Sequence, residues 1–502
     1  MEKSVLIVGG GIAGLSAGYY ARMNGYRTSI FEMHSIPGGL CTAWERKGYK
    51  FDISMHMLTG ALSGPFHEMW RELGVAQGFE FHSHDHISRI EGMGKELLIS
   101  TDRGKFEQAL LDISPDDEER IKEFIRLFFG RDMMNAASLQ PAKLMRLRDK
   151  IRLMLSILPM IGTMRKYENM TLQEFASKFK SPFLREAIRM TIDSPGWAMV
   201  DFPMMAMAGM ARAGVTESPV PLGGSQQVVF HIADRFKEAG GALHLKSRVA
   251  SLIMDQDRVS GIVLEDGSRH LADHVIWAGD GHTLIYKLLG GRYVSDTIKN
   301  MYENWVAVKP VLHVMLGVDM DLSEEPHSIQ LEVEEPISIG GKKQQWLSML
   351  HHCFDPSMAP KGKSAVEVWY SLDYDYWEEL YKDRAAYKAE KKRISDYTIR
   401  QLDRRWPGFA SKVEVIDVPT PLTYKRYTGN WKGSPDGWYI TPDNVMDREP
   451  ARRLPGLEGL SMVGHWTVPY AGVVTSALSS RQAIQLMCHE EGRPFQTTAG
   501  KR

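Results

Sequence analysis

The stretch that decides the fold is SVLIVGGGIAGLSAG, residues 4–18. Its first five residues are mostly apolar and β-branched, which is typical of a strand buried on both faces in a parallel sheet. Gly9, Gly11 and Gly14 follow, and apolar residues then recur at helical spacing up to Gly25. This order predicts a strand, a glycine-rich turn and a helix that ends at a left-handed glycine.

A second strand is predicted at residues 28–31, and it leads directly to Glu32. A strand, a GxGxxG turn, a helix, a second strand and an acidic residue in this order form a dinucleotide-binding βαβ unit. The glycines let the backbone turn tightly and approach a pyrophosphate, and the helix amino terminus offers N–H groups and a positive dipole end. Glu32 can accept hydrogen bonds from both ribose hydroxyls of an adenosine, and its charge would repel a 2′-phosphate. The unit therefore predicts a bound ADP moiety and disfavours NADP, but it does not separate NAD from FAD.

Composition excludes several classes of protein. The chain has 502 residues, enough for two or three domains, and its 61 Lys+Arg and 62 Asp+Glu residues give a formal net charge of −1. This balance gives no electrostatic case for a nucleic-acid partner. The three cysteines lie far apart, without a CxxC or Cys/His cluster, which favours a reducing compartment and a cytoplasmic location. The longest apolar segment, residues 153–164, is too short to span a bilayer and contains Pro159.

Several further motifs resemble those of one family, the FAD-dependent phytoene (carotenoid) desaturases and retinol saturase, within the amine-oxidase-like flavoproteins. The resemblance runs along most of the chain and rests on the opening stretch with Glu32, PGGLCTAWERKGYKFDISMH at 37–56, PLGGS at 221–225, ALHLKSRVASLIM at 242–254, VSGIVLEDG at 259–267, ADHVIWAGD at 272–280 and GLEGLSMVGHWTVPYAGVVTSALSSRQA at 456–483. Two positions depart from the family pattern. Leu40 replaces the usual Arg after the glycine pair, and His465 replaces the Asp of a carboxy-terminal Gly-Asp.

The resemblance implies an α/β fold with a Rossmann-like FAD-binding domain of the glutathione-reductase/amine-oxidase type. It also implies an antiparallel-sheet substrate domain and a helical region that faces a membrane or acts as a lid. The expected boundaries are 1–80, 222–295 and 445–490 for the FAD-binding domain, 81–114 and 296–444 for the sheet domain, and 115–221 for the helical region. The helical region is rich in methionine, which suits a flexible apolar ligand; a plain helical core is the alternative.

Residues 143–166 carry basic side chains on both sides of the apolar segment. This pattern is typical of an interfacial helix that dips into an anionic membrane leaflet. A surface helix with snorkelling Lys and Arg side chains is the alternative. Peripheral contact with the inner face of a membrane is therefore a hypothesis.

The motifs nominate the residues that bind FAD and those that move a proton. The expected FAD-binding residues are Gly9, Gly11, Ile12, Ala13, Gly14, Glu32, Gly38, Gly39, Leu40, Val249, Gly279, Gly464, His465, Gly472 and Val473. The helix that follows Gly472 is expected to point its amino terminus at the flavin ring and stabilise negative charge there. The candidates for a proton-transfer group beside the flavin are His56, Tyr424, His465 and Tyr470. The alternative is that no side chain is needed.

The expected function is an FAD-dependent oxidoreductase acting on C–C or C=C bonds of a long apolar isoprenoid, carotenoid, retinoid or fatty-acid-like substrate. Desaturation, saturation and isomerisation all remain open, as does the electron acceptor. A flavin amine oxidase and a non-redox prenyl-lipid carrier of the same fold are the alternatives. Three histidines at 82, 84 and 86 would share one face of an extended strand, but no fourth ligand is evident. An exposed strand face, without a metal, is the expectation.

Overall fold

The structure is a computed structural model that describes residues 2–130, 137–196, 198–216, 219–445, 452–467 and 472–498. The strands are β1 (Ser4–Val8), β2 (Arg27–Phe31), β3 (Ala43–Arg46), β4 (Tyr49–Asp52), β5 (Phe81–His82), β6 (His86–Gly92), β7 (Lys95–Ser100), β8 (Val220–Pro221), β9 (Ala242–His244), β10 (Val249–Asp255), β11 (Arg258–Leu264), β12 (Arg269–Leu271), β13 (His274–Trp277), β14 (Val311–Val318), β15 (Ser328–Ile339), β16 (Lys342–His351), β17 (Ser364–Ser371), β18 (Val413–Asp417) and β19 (Leu460–Met462). The helices are α1 (Ile12–Met23), α2 (Gly64–Glu72), α3 (Val75–Gly78), α4 (Arg103–Ile113), α5 (Glu118–Phe128), α6 (Leu147–Ile157), α7 (Ile161–Tyr167), α8 (Leu172–Ala176), α9 (Pro182–Arg189), α10 (Met204–Thr216), α11 (Ser225–Glu238), α12 (Asp296–Asn304), α13 (Tyr374–Leu380), α14 (Arg384–Arg405), α15 (Pro421–Thr428) and α16 (Val473–Glu490).

The predicted βαβ unit forms the centre of a five-stranded parallel sheet, in the order β19-β13-β1-β2-β9. Every residue of β1 is buried because the sheet is covered on both faces. Val5 and Ile7 pack into one core with α1, α11 and α16, whereas Leu6 and Val8 pack into another with β11 and β13. The apolar residues of this strand thus pack alternately into two cores, as expected for a parallel sheet that is covered on both faces.

A second large sheet has seven strands, in the order β18-β14-β17-β16-β15-β6-β7. The sequence predicts an antiparallel sheet here, and most neighbours are antiparallel, but β15 and β6 pair in parallel. The prediction misses this pair because the β6–β7 hairpin comes from residues 86–100, far earlier in the chain than β15. Parallel neighbours need a long connection, which no local pattern reveals. The long helix α14 packs Ile394, Tyr397 and Leu402 against this sheet.

The helices between residues 103 and 216 surround a phenylalanine-rich core that contains Phe106, Phe124 and Phe175. Helix α6 differs from its neighbours because none of its residues is buried. Among the described residues, the structure contains no helix of the length and apolar character required to cross a membrane.

Candidate active site

A cavity of about 220 Å³, here called the small cavity, lies at the carboxyl ends of β1, β2, β13 and β19. Open α/β sheets bind their ligands at this edge. Its lining brings together almost the whole predicted FAD-binding set, namely Gly9, Gly11, Ile12, Ala13, Glu32, Gly38, Gly39, Leu40, Val249, Gly279, Gly464, His465, Gly472 and Val473. Gly14 has a different position, in α1 against β1, where an added Cβ would lie 1.9 Å from the Gly9 carbonyl oxygen. Gly14 therefore allows α1 to pack closely against the turn after β1, as its place in the motif implies.

The backbone around the small cavity fits a dinucleotide. At Gly11 an added Cβ would have the Gly38 oxygen as its nearest neighbour, 3.8 Å away, so that position is open towards the cavity. Gly11 is the N-cap residue of α1 and Gly472 is that of α16, and neither helix has a side-chain hydrogen bond that caps its first turn. The first N–H groups of a helix have no partner within the helix, so both helix ends offer donors and a positive dipole to an anionic group. These residues fit the phosphates and the flavin ring of FAD.

Glu32 is buried at the wall of the small cavity. Its Oε2 accepts a hydrogen bond from the Gly10 N–H at 2.7 Å, and its Oε1 accepts one from the His34 N–H at 2.9 Å. These bonds fix the carboxylate beside the glycine turn, where the adenosine ribose of a bound dinucleotide is expected.

A second cavity of about 860 Å³, here called the large cavity, adjoins the small one. The two share Leu40, Ser54, Pro435, Asp436, Gly472 and Val473 in their linings, so the large cavity begins where the flavin ring is expected. Most of its wall is apolar, and the helical region contributes Leu153, Ile157, Met164, Met190 and Met205. Other methionines of that region, such as Met204 and Met207, lie in the helical core. Met190 and Met205 belong to the same core and also line the cavity, so binding of an apolar ligand by this segment stays a prediction.

The predicted proton-transfer candidates separate into three locations. His56 and Tyr424 line the large cavity, His465 lines the small cavity, and Tyr470 lies outside the described residues. The two ring nitrogens of His56 and the hydroxyl of Tyr424 have no hydrogen-bond partner among the described residues. Burial lowers the pKa of His56 to about 3, lowers the pKa of His465 to about 4 and raises the pKa of Tyr424. All three side chains are therefore neutral near pH 7.

Sequence reasoning misses a buried acidic group beside His56. Glu367, in the middle of β17, is fully buried, and its Oε1 lies 3.5 Å from Nε2 of His352. Burial alone would lower the pKa of His352 and raise that of Glu367, but their mutual attraction shifts both pKa values the other way. Trp369 lines the large cavity and donates its Nε1–H to Oε2 of Glu367 at 3.2 Å. The ring of His56 meets the Trp369 ring edge-on at 4.4 Å, and His313 stacks on it at 4.9 Å. A glutamate within the apolar run SAVEVWYS is the sequence signal that could have revealed this pair.

Asp436 is the second group that sequence reasoning misses. Its side chain lines both cavities, and burial raises the pKa of its carboxyl to about 7. A carboxyl with this pKa can both accept and donate a proton at neutral pH. It lies in the bend at residues 435–437, and nothing in that stretch of sequence distinguishes it from an ordinary exposed turn residue.

Comparisons with known proteins agree with this geometry. A family model described as "Flavin containing amine oxidoreductase" matches residues 12–483. "Prolycopene isomerase, chloroplastic" of Arabidopsis thaliana is 24% identical, with 94% of this chain and 80% of that protein covered. "Phytoene desaturase (lycopene-forming)" of a Paracoccus species is 23% identical, with 97% of each chain covered.

Solved structures show the same fold. The structure of an oxidoreductase from Methanosarcina mazei matches with a TM-score of 0.62 at 16% identity, covering 96% of this chain and 100% of that one. A putrescine oxidase matches with a TM-score of 0.59 at 13% identity, covering 97% of this chain and 99% of that one. The predicted amine-oxidase-like α/β fold, the FAD cofactor and the oxidoreductase class are thereby confirmed. The chain belongs to the family of flavin containing amine oxidoreductases.

Proposed function

We propose that this protein uses FAD to act on C–C or C=C bonds of a long isoprenoid substrate. The observation that carries the proposal is the large cavity, which is mainly apolar and opens onto the small cavity at Gly472 and Val473. An apolar chain buried there is held by contact area, at about 25 cal/mol per Å² of apolar surface. The relatives named as a prolycopene isomerase and a phytoene desaturase support the same substrate class.

The residues around the cavity junction fit the demands of such a reaction. When bound, FAD supplies hydride transfer at its flavin ring. The apolar wall orients the substrate and excludes water, and the predicted FAD-binding residues hold the cofactor at the junction. Asp436 holds or delivers a proton there, since its side chain borders both cavities. Tyr424 and His56 offer neutral hydrogen-bonding groups to a polarised region of the substrate, because their polar atoms have no other partner among the described residues.

We further propose that α6 and α7 place the entrance of the large cavity at a membrane surface. Leu147, Met154 and Leu155 of α6 expose 74%, 57% and 56% of their surface, whereas Leu153 and Ile157 of the same helix line the large cavity. A helix with one apolar face towards the cavity and another towards the outside gives a lipid a continuous apolar path. Basic residues that flank the helix are complementary to an anionic leaflet.

The reaction is tested with the purified FAD-loaded protein and a panel of polyenes and amines. Mass spectrometry and chromatography of the extracted product distinguish the three reactions, because desaturation removes H₂, saturation adds H₂ and isomerisation leaves the mass unchanged. We expect conversion of a polyene and no turnover of a primary amine. Amine turnover without polyene conversion would instead assign an amine oxidase. A protein that carries a prenyl lipid and cannot be loaded with FAD would assign a carrier.

A further inference from the structure

Three histidines from two distant segments of the chain meet at the end of the seven-stranded sheet where β6 and β15 begin. His86 begins β6, His327 directly precedes β15, and these two strands are parallel neighbours. His84 lies two residues before His86, in the bend between β5 and β6. The sequence expectation of an exposed strand face at His82, His84 and His86 is wrong, because β5 and β6 do not form one continuous strand and these three residues are half-buried. His82 is not one of the three: its ring stacks on Phe354 at 4.9 Å and meets the His84 ring edge-on at 4.5 Å.

We propose that His84, His86 and His327 form a binding site for a divalent transition-metal ion. Each offers one ring nitrogen, and these nitrogens all lie within 4.8 Å of one another. Nε2 of His86 lies 3.3 Å from Nδ1 of His327, and the ring of His84 stacks on the ring of His327. Zinc–nitrogen bonds of about 2.0–2.1 Å at tetrahedral angles place ligand nitrogens about 3.4 Å apart. A rotation of the two stacked rings towards a common point would bring all three nitrogens to that spacing.

The hydrogen bonds of the cluster support a ligand role. Nδ1 of His86 lies 2.6 Å from the carboxylate of Asp85, which fixes the tautomer that leaves Nε2 free to bind a metal. Such a carboxylate–histidine contact is the usual partner of a metal-bound imidazole. Nε2 of His84 is buried and has no hydrogen-bond partner among the described residues. The cluster therefore contains an unused ligand atom and an oriented one.

Three imidazole ligands leave a coordination position for water or for a polar group of a ligand. His327 lines the large cavity, and so do Ser88 and Gln330 from the same two strands. The side-chain oxygen of Gln330 is buried without a hydrogen-bond partner among the described residues. This acceptor belongs to the same cavity lining as His327. Imidazole ligands favour Zn²⁺, Co²⁺, Ni²⁺ or Cu²⁺ over Mg²⁺ and Ca²⁺.

The proposal is tested on the FAD-loaded protein after removal of metals with a chelator. The protein is equilibrated with Zn²⁺, and bound zinc is counted per chain by elemental mass spectrometry. We expect one Zn²⁺ per chain, at least 100-fold weaker binding in the double variant His84→Asn/His327→Asn, and unchanged binding in the control His82→Asn. Retained FAD shows that each variant is folded, and this readout is independent of the reaction catalysed.

X-ray absorption of the zinc-loaded wild-type protein keeps the proposal testable if the double variant does not fold. The expected spectrum shows scattering from three imidazole rings around zinc. Zinc binding that is absent in the wild type, equal in the double variant, or surrounded by ligands other than imidazole would overturn the site.

Discussion

Replacing Gly11 by valine separates binding of the cofactor from folding of the protein. Gly11 has φ −75° and ψ −177°, which any residue adopts, so the substitution strains no backbone angle. The nearest described atom to an added Cβ, the Gly38 oxygen, is 3.8 Å away. The added Cβ would be in ordinary van der Waals contact with the backbone of Gly38 and Gly39, which lines the small cavity as Gly11 does. The cost of the substitution falls on bound FAD.

The expected magnitude follows from two terms. Overpacking of a well-fitted interior costs about 1–3 kcal/mol, and each charged hydrogen bond lost between backbone N–H and pyrophosphate costs about 1.5–3 kcal/mol. Together they weaken FAD binding by about 3–6 kcal/mol, or about 10²–10⁴-fold at 1.4 kcal/mol per tenfold change. The free energy of unfolding of the protein without FAD should change by less than about 1 kcal/mol, as for a substitution that touches no core atom.

The assay measures FAD by its absorbance after purification and again during titration into protein stripped of FAD, and urea unfolding reports stability. Gly162→Val, with no other atom within 4 Å of its Cβ, is the control that should change neither quantity. Gly14→Val should instead destabilise the protein itself, because its Cβ would lie 1.9 Å from the Gly9 oxygen. Full FAD occupancy in Gly11→Val would refute the placement of the cofactor against this turn.

Three further predictions concern the large cavity and its surroundings. Asp436→Asn should remove an ionisation near pH 7 from the pH profile of the rate, since burial raises the pKa of this carboxyl to about 7. If the wild-type rate falls as the pH rises through 7, the reaction needs the protonated acid, and if the rate rises, it needs the carboxylate. An unaltered pH profile in the variant would exclude Asp436 as the proton-transfer group. Glu367→Gln should lower the free energy of unfolding in urea by about 3 kcal/mol, because it breaks the buried pair with His352. Met154→Glu combined with Leu155→Glu should abolish co-flotation with anionic liposomes, and unchanged flotation would contradict membrane contact by α6.

The Glu367 variant and the α6 double variant each have a matched control, and the Asp436 shift has a second readout. Glu334→Gln removes a carboxylate whose side chain is 87% exposed and should change stability by less than about 0.5 kcal/mol. Leu271→Glu changes an apolar residue that is 68% exposed, far from α6 in sequence, and should leave flotation intact. The folded protein binds the Asp436 proton between the ordinary carboxyl pKa of 3.8 and about 7, whereas the unfolded chain releases it. Stability therefore falls as pH rises through this window, and Asp436→Asn should remove that part of the fall.

The small cavity could be predicted because its determinants are local in sequence. Gly9, Gly11 and Glu32 belong to one βαβ unit, whose spacing fixes where the turn, the helix end and the carboxylate lie. The later segments around Gly279 and Gly464 follow strands of the same parallel sheet, so their ends meet at the same edge. Roles of individual residues in binding FAD remain predictions until variants are measured.

The acid–base groups could not be predicted in the same way, because their chemistry arises from tertiary burial. Asp436 stands in an ordinary turn sequence, and burial in the folded chain raises the pKa of its carboxyl. Glu367 meets His352 across neighbouring segments of the sheet, a pairing that the alternation of a strand does not encode. His327 joins His84 and His86 from a position 241 residues after His86. Sequence spacing indicates which side chains share a face, but not which distant segment covers that face.

The polar groups in the large cavity also bear on the choice between an enzyme and a carrier. A cavity that only stores a hydrocarbon is most stable when its wall is apolar, because each buried polar group without a partner costs about 1–3 kcal/mol. His56, Tyr424 and Asp436 are nevertheless placed on this wall, and the polar atoms of His56 and Tyr424 have no partner among the described residues. Asp436 lies where the two cavities meet, so the only described carboxyl common to both linings is beside the expected flavin ring. Polar groups on this wall are the arrangement that the proposed reaction needs, and a carrier has no use for them.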